Sequence, residues 1–197
     1  MYPEDIDRQS GCRLPLPKRE ELNGAAAAIY HRLADPKGGS IRGLRGPGGI
    51  HLHSPELALH THALNHYLRH QAGLGGRLRQ LAILTTAREL DSQFEWAAHE
   101  PEALREGLSP EIVDVIRYRK DSAQLDPGDA IVIELGGEIF ANRKVSSATF
   151  ARALAQLGWR KLVDLVALMG NYAATAASLT AFDMQLEPDQ QPLLPVP

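Results

Sequence analysis

Glu95 and His99 stand four residues apart within Ser92 to Leu108, "SQFEWAAHEPEALREGL". On a helix, residues at i and i+4 share one face with their β-carbons about 5–6 Å apart, so the two side chains can reach one small substrate, or each other. A carboxylate beside an imidazole stabilises the protonated ring. The ordinary imidazole pKa of about 6.5 then lets modest shifts move a proton near neutrality. Phe94, Trp96, Ala97 and Ala98 surround the pair with apolar groups, which favours a desolvated site where titrating groups are perturbed. The same spacing also fits a capping box, with Ser92 as N-cap and Glu95 folded back onto its amide. Spacing alone leaves both readings open.

A second group of chemistry-bearing residues precedes this segment. "PKGGSIRGLRGPGGIHLHSP" carries Lys37, Arg42, Arg45, His51 and His53, with no acidic residue between Asp35 and Glu56. Exposed amides and positive side chains suit an anionic substrate, and arginine can grip a carboxylate with two parallel hydrogen bonds. A solvated surface loop is the plainer alternative. Farther on, His62, His66 and His70 form a ladder at i, i+4 and i+8, with His60 beside it. Two histidines at that spacing can chelate zinc. No carboxylate or cysteine on the same face completes a site, so no metal is expected. Tyr172, in the last helix, is expected to pack in the core, with a place in the pocket as the alternative.

The elements that must hold these residues read as helices almost throughout, because apolar residues recur at a 3.6-residue period and alternating runs are nearly absent. An all-α fold is expected. The first helix is expected over Glu20 to Ala34, followed by a long loop from Asp35 to Ser54. "SPEL" starts a second helix, with Ser54 as N-cap and Pro55 at the first position, running to about His70. "GLGG" separates it from a third, Arg77 to Leu90, and "DSQF" opens a fourth that ends near Gly107. "SPEIVDVIR" starts a fifth, "DPGD" reads as a turn over Asp126 to Asp129, and Ala130 to Asn142 is a sixth. "AIVIEL" is read as helix rather than strand. "VSSATF" caps a seventh, Gly158 interrupts it, and Trp159 to about Met184 is the last. One domain over residues 1–197 is expected, with a flexible N-terminal segment, 1–17, and a proline-rich tail, 187–197.

Composition narrows the function classes. Of 197 residues, 44% are hydrophobic and 23% charged, which suits a soluble domain with a sizeable core. The net charge of -3 with 21 scattered basic residues gives no footprint for nucleic acid or an anionic membrane. The lone cysteine, Cys12, allows no internal disulfide and no thiolate zinc site. "MYPEDIDRQSG" lacks the apolar run of a secretory signal, and a cytoplasmic location is expected. The apolar stretch Leu162 to Phe182 is long enough to span a membrane. Its Asp164 and Asn171 favour a core helix, so no membrane association is expected.

"RLRQLAILTTARELDSQFEWAAHEPEALREGLSPEIVDVIR" resembles the carboxymuconolactone decarboxylase family, a branch of the all-helical alkylhydroperoxidase-D-like superfamily. The likeness covers Leu52 to about Ile116 and extends more loosely through "LVDLVALMGNYAATAASLTAF". The peroxidase branch carries Cys-x-x-Cys followed by histidine at the matching helix start. This chain has Ser92 and Glu95 in place of the cysteines and keeps His99, which removes disulfide exchange. Gln80 stands where peroxidase-type members have a glutamate relay; it can hydrogen-bond but cannot titrate.

The resemblance implies an alkylhydroperoxidase-D-like helical bundle and a cofactor-independent decarboxylase of a small carboxylated lactone or related organic acid. Glu95 and His99 would then be the catalytic pair, with Arg42, Arg45, His51, His53 and Trp96 binding substrate. It also implies a homo-oligomer, trimer or hexamer. An isomerase or dehydratase on the same scaffold, or a non-catalytic helical oligomer, are the alternatives.

Overall fold

In the computed structural model, which describes residues 2–37 and 40–195, eight α-helices and one 3-10 turn are formed and no strand occurs among the described residues. The all-α expectation holds. The helices are α1 (Gly24–Ala34), α2 (Pro47–His51), α3 (Pro55–His70), α4 (Gly76–Glu89), α5 (Gln93–Arg105), α6 (Pro110–Arg117), α7 (Pro127–Phe140) and α8 (Ser147–Ala181). The chain packs as two units: residues 2–67 with 177–191, and residues 68–176 with 192–195.

In the first unit, the expected helix from Glu20 is broken. A 3-10 turn covers Arg19–Glu21, and α1 begins only at Gly24, after Asn23 in extended conformation. The break turns Leu22 inward, where it joins Ala26, Ala27, Ile29, Leu52 and Ala58 in one apolar cluster. Burying that leucine outweighs the local helix propensity of the segment. The expected long loop is also corrected, since Pro47–His51 forms α2. Proline sits in its first turn, where the missing N–H costs nothing, and Gly49 and Ile50 are buried. Gly49 is required by close approach, because a β-carbon there would lie 2.0 Å from the Leu44 carbonyl oxygen. Residues at the start of the chain are packed as well. Ile6 and Cys12 are buried, and the Arg13 amide donates to the Phe182 carbonyl at 2.9 Å.

The second unit is organised around α4. Residues Gln80 to Arg88 are all buried, so this helix is covered on every face, and α5, α6 and α7 pack against it. A helix covered on every face belongs in the centre of a bundle, and the polar side chains it carries there must find partners. Thr85 and Thr86 inside it satisfy their hydroxyls by donating to the Leu81 and Ala82 carbonyls at 2.8 and 2.9 Å. The "DPGD" segment begins α7 rather than forming a separate turn. Asp126 is the N-cap, accepting from the Gly128 amide at 2.8 Å, and Pro127 occupies the first position. Ser146 caps α8 by accepting from the Thr149 amide at 3.1 Å, and Gly158, at φ 72°, breaks α8 where the sequence places the interruption. α8 is long and apolar enough to cross a membrane by length and composition, and half of its apolar window is buried in the protein. Near the end of the chain, Gln93 Oε1 accepts from the amides of Leu193 and Leu194, both at 3.0 Å.

Candidate functional site

α5 carries the candidate pair. Its first turn does not form a capping box, since Ser92 makes no side-chain cap and its amide donates to the Ala87 carbonyl at 2.8 Å. Glu95 is therefore not folded back onto Ser92. Its Oε2 lies 3.7 Å from His99 Nε2, and each residue is only 4% exposed. That separation is within ion-pair reach but longer than a direct hydrogen bond. Such contacts in ligand-free sites commonly tighten when substrate binds.

The other face of the imidazole is also engaged. His99 Nδ1 is 3.0 Å from Oε1 of Gln80, which projects from the first turns of α4 and is itself 1% exposed. The Tyr172 ring, from α8, meets the imidazole edge to face with centroids 5.2 Å apart. Tyr172 is thus both core, as expected, and a wall of the candidate site. A carboxylate, an imidazole, an amide and a phenol ring are gathered with almost no access to bulk water. In such surroundings charge-charge interactions are far stronger than at a surface.

Trp96 points to a different patch of the same unit. It is fully buried, its indole N–H donates to Glu100 Oε2 at 2.7 Å, and the Arg117 guanidinium lies over its ring at 5.6 Å. Arg117 in turn pairs with Glu100, and with Asp114 at 3.0 Å. Burial alone would favour the neutral guanidine, but the Glu100 carboxylate holds the Arg117 pKa above its ordinary value. This i, i+4 pair of Trp96 and Glu100 is offset by one residue from Glu95 and His99, which places it about 100° round the helix.

The remaining expected residues belong to the first unit. Arg45 Nε lies 2.8 Å from Glu187 Oε1, and its guanidinium also hydrogen-bonds the Tyr2 hydroxyl and lies over the Tyr2 ring. Arg42 is part-buried. His51 Nδ1 is 3.3 Å from Thr61 Oγ1, and burial lowers its pKa. His53 Nε2–H donates to the Pro15 carbonyl at 2.8 Å and lines a small cavity shared with Cys12 and Met184. Of the histidine ladder, His62 Nε2 accepts from Arg32 at 3.3 Å, and its pKa is lowered by burial, then by the charges of Arg32 and His66. Among the described residues no three His, Cys, Asp or Glu side chains gather as a metal would need.

Sequence spacing identified Glu95 and His99. It did not show that Gln80 bonds His99, because that contact joins two helices; what singled Gln80 out was its place in the resemblance described above. No protein-family model matches the chain, and no curated protein matches it either.

Proposed function

We propose that the protein is a cofactor-independent decarboxylase of a small carboxylated lactone or related organic acid, with Glu95 and His99 as its proton-transfer pair. The observation that carries this reading is the buried approach of Glu95 Oε2 to His99 Nε2 at 3.7 Å. A purely structural pair in a helical core would more cheaply be apolar, because burying a carboxylate and an imidazole costs several kcal/mol unless each is compensated.

In the reaction, the bond from the substrate carbon to its carboxylate breaks and carbon dioxide leaves. The electron pair passes into a conjugated carbonyl of the substrate, giving an enolate. A proton from the Glu95 and His99 pair then takes the place of the lost carboxyl group on carbon, and solvent restores that proton. Phe94, Ala97 and Ala98, buried beside the pair on α5, keep the surroundings dry, which favours loss of the charged carboxylate.

Glu95→Gln and His99→Ala are each expected to lower turnover by about 10²–10⁴-fold, the usual contribution of positioned acid-base groups. Unsaturated lactone carboxylic acids serve as test substrates, with carbon dioxide release measured alongside substrate loss. Equal amounts support decarboxylation, whereas loss without gas points to the isomerase or dehydratase. Unchanged rates in both variants remove the pair from the chemistry. The trimer or hexamer belongs to the same proposal, supported by the exposed apolar residues Trp159 and Val163 one turn apart on α8, 70% and 65% accessible. Light scattering should give three or six times the mass of one chain.

A further inference from the structure

We propose that Gln80 is a positioning residue that fixes the proton of His99 on Nδ1, so that Nε2, facing Glu95, is the working atom of the pair. This rests on the proton-transfer reading above, of which it names the atom.

A carbonyl oxygen can only accept, so the Gln80 Oε1 at 3.0 Å requires an N–H at His99 Nδ1. Three states of the pair are then conceivable. A neutral ring with its proton on Nδ1 turns the Nε2 lone pair toward Glu95. If Glu95 were ionised, a lone pair would face a carboxylate inside the core, an arrangement that both burial and charge oppose. The two remaining states are imidazolium with carboxylate, and neutral imidazole with carboxylic acid. Both place one proton between Nε2 and Glu95 Oε2.

Gln80 thereby keeps the pair loaded with a spare proton, which is what an enolate requires. Glutamine serves this purpose better than glutamate, since its carbonyl accepts the Nδ1–H without adding a second negative charge that would hold the imidazolium more tightly. Without the amide, the ring is free to take the other neutral tautomer, with Nε2–H donating to ionised Glu95. That state has one proton fewer. Gln80 from α4, Glu95 from its own helix and Tyr172 from α8 all face His99, and of these three Glu95 alone carries a carboxyl group.

Nitrogen-15 NMR of the ring, recorded from pH about 6 to about 9 to span the ordinary imidazole range, reads the proton positions directly and needs no substrate. The native protein is expected to show Nδ1 protonated throughout. Gln80→Met, similar in size but with no carbonyl, should lose that signature and populate Nε2–H with Nδ1 unprotonated. Gln80→Glu, which keeps an acceptor, should restore it. Native protein with Nδ1 unprotonated, or Gln80→Met indistinguishable from native, overturns the assignment. Where Gln80→Met does not fold, the native and Gln80→Glu spectra decide, and Nδ1 unprotonated in either is fatal. With an active substrate, Gln80→Met should lower kcat by about 10–100-fold with KM little changed, as loss of a group that orients a working histidine does. Tautomer results as expected with rates insensitive to Glu95→Gln and His99→Ala would reject the catalytic reading while leaving the Gln80 assignment standing.

Discussion

At the scale of the residue, α5 separates two polar pairs, one buried and one part-buried, by one position. His99, paired with Glu95, faces Gln80 and Tyr172, while Trp96 and Glu100 face Arg117. The two pairs have the same i, i+4 spacing, and only their partners on other helices tell them apart. Trp96→Phe tests that separation. It removes the indole N–H from Glu100 and weakens the stacking of Arg117, so it is expected to cost about 1–3 kcal/mol, the range for losing a hydrogen bond to a part-buried charged group. Chemical denaturation should show the lowered midpoint, and the nitrogen signals of His99 should be unmoved. A change in the His99 spectrum equal to that of Gln80→Met would join the two pairs into one network. The spacing of Glu95 and His99 was legible in the sequence because it is local. Whether Ser92 and Glu95 form a capping box was not, since that depended on where the Ser92 amide bonds, and its partner, the Ala87 carbonyl, belongs to the last turns of α4.

At the scale of the element, helix starts were the most readable feature. Ser109 with Pro110, and Ser146 ahead of Thr149, cap their helices as their residue types predict. The break at Leu22 and the short α2 were missed for one reason: each is imposed by what packs on it, the apolar cluster in one case and the Leu44 carbonyl in the other. Close approach between α4 and α7 is equally silent in the sequence. A β-carbon at Gly136 would come within 2.4 Å of Thr85 Cγ2, and Thr85 cannot turn away without giving up its hydroxyl bond to Leu81. The neighbouring Gly137 has nothing within 4 Å. Gly136→Ala should therefore destabilise the protein by about 1–3 kcal/mol through overpacking. Gly137→Ala should stabilise it by up to about 1 kcal/mol through helix propensity alone. Thermal unfolding of the two variants side by side checks both signs, and equal shifts would show that α4 and α7 are not in tight register at Gly136.

At the scale of the whole molecule, an all-α chain was predictable from periodicity, whereas the grouping of its helices into two units depends on long-range packing that periodicity does not encode. The division gives pH a directional effect. His51 and His62 both lie in the first unit, and burial holds the pKa of each below the ordinary imidazole value, aided at His62 by Arg32 and His66. A histidine with a depressed pKa binds fewer protons folded than unfolded. Its contribution is thus intact above the unfolded pKa of about 6.5, and is lost as pH falls from there through the folded value. Acidification from pH about 7.5 to about 5 should lower the denaturation midpoint, and limited proteolysis should begin in the first unit. Glutamine at both positions cannot titrate, and at position 51 it keeps a group able to bond Thr61. The double variant, His51→Gln with His62→Gln, should lose a smaller part of its stability over the same pH range. If it loses as much as the native protein, the acid sensitivity originates elsewhere and the two rings are charged without cost.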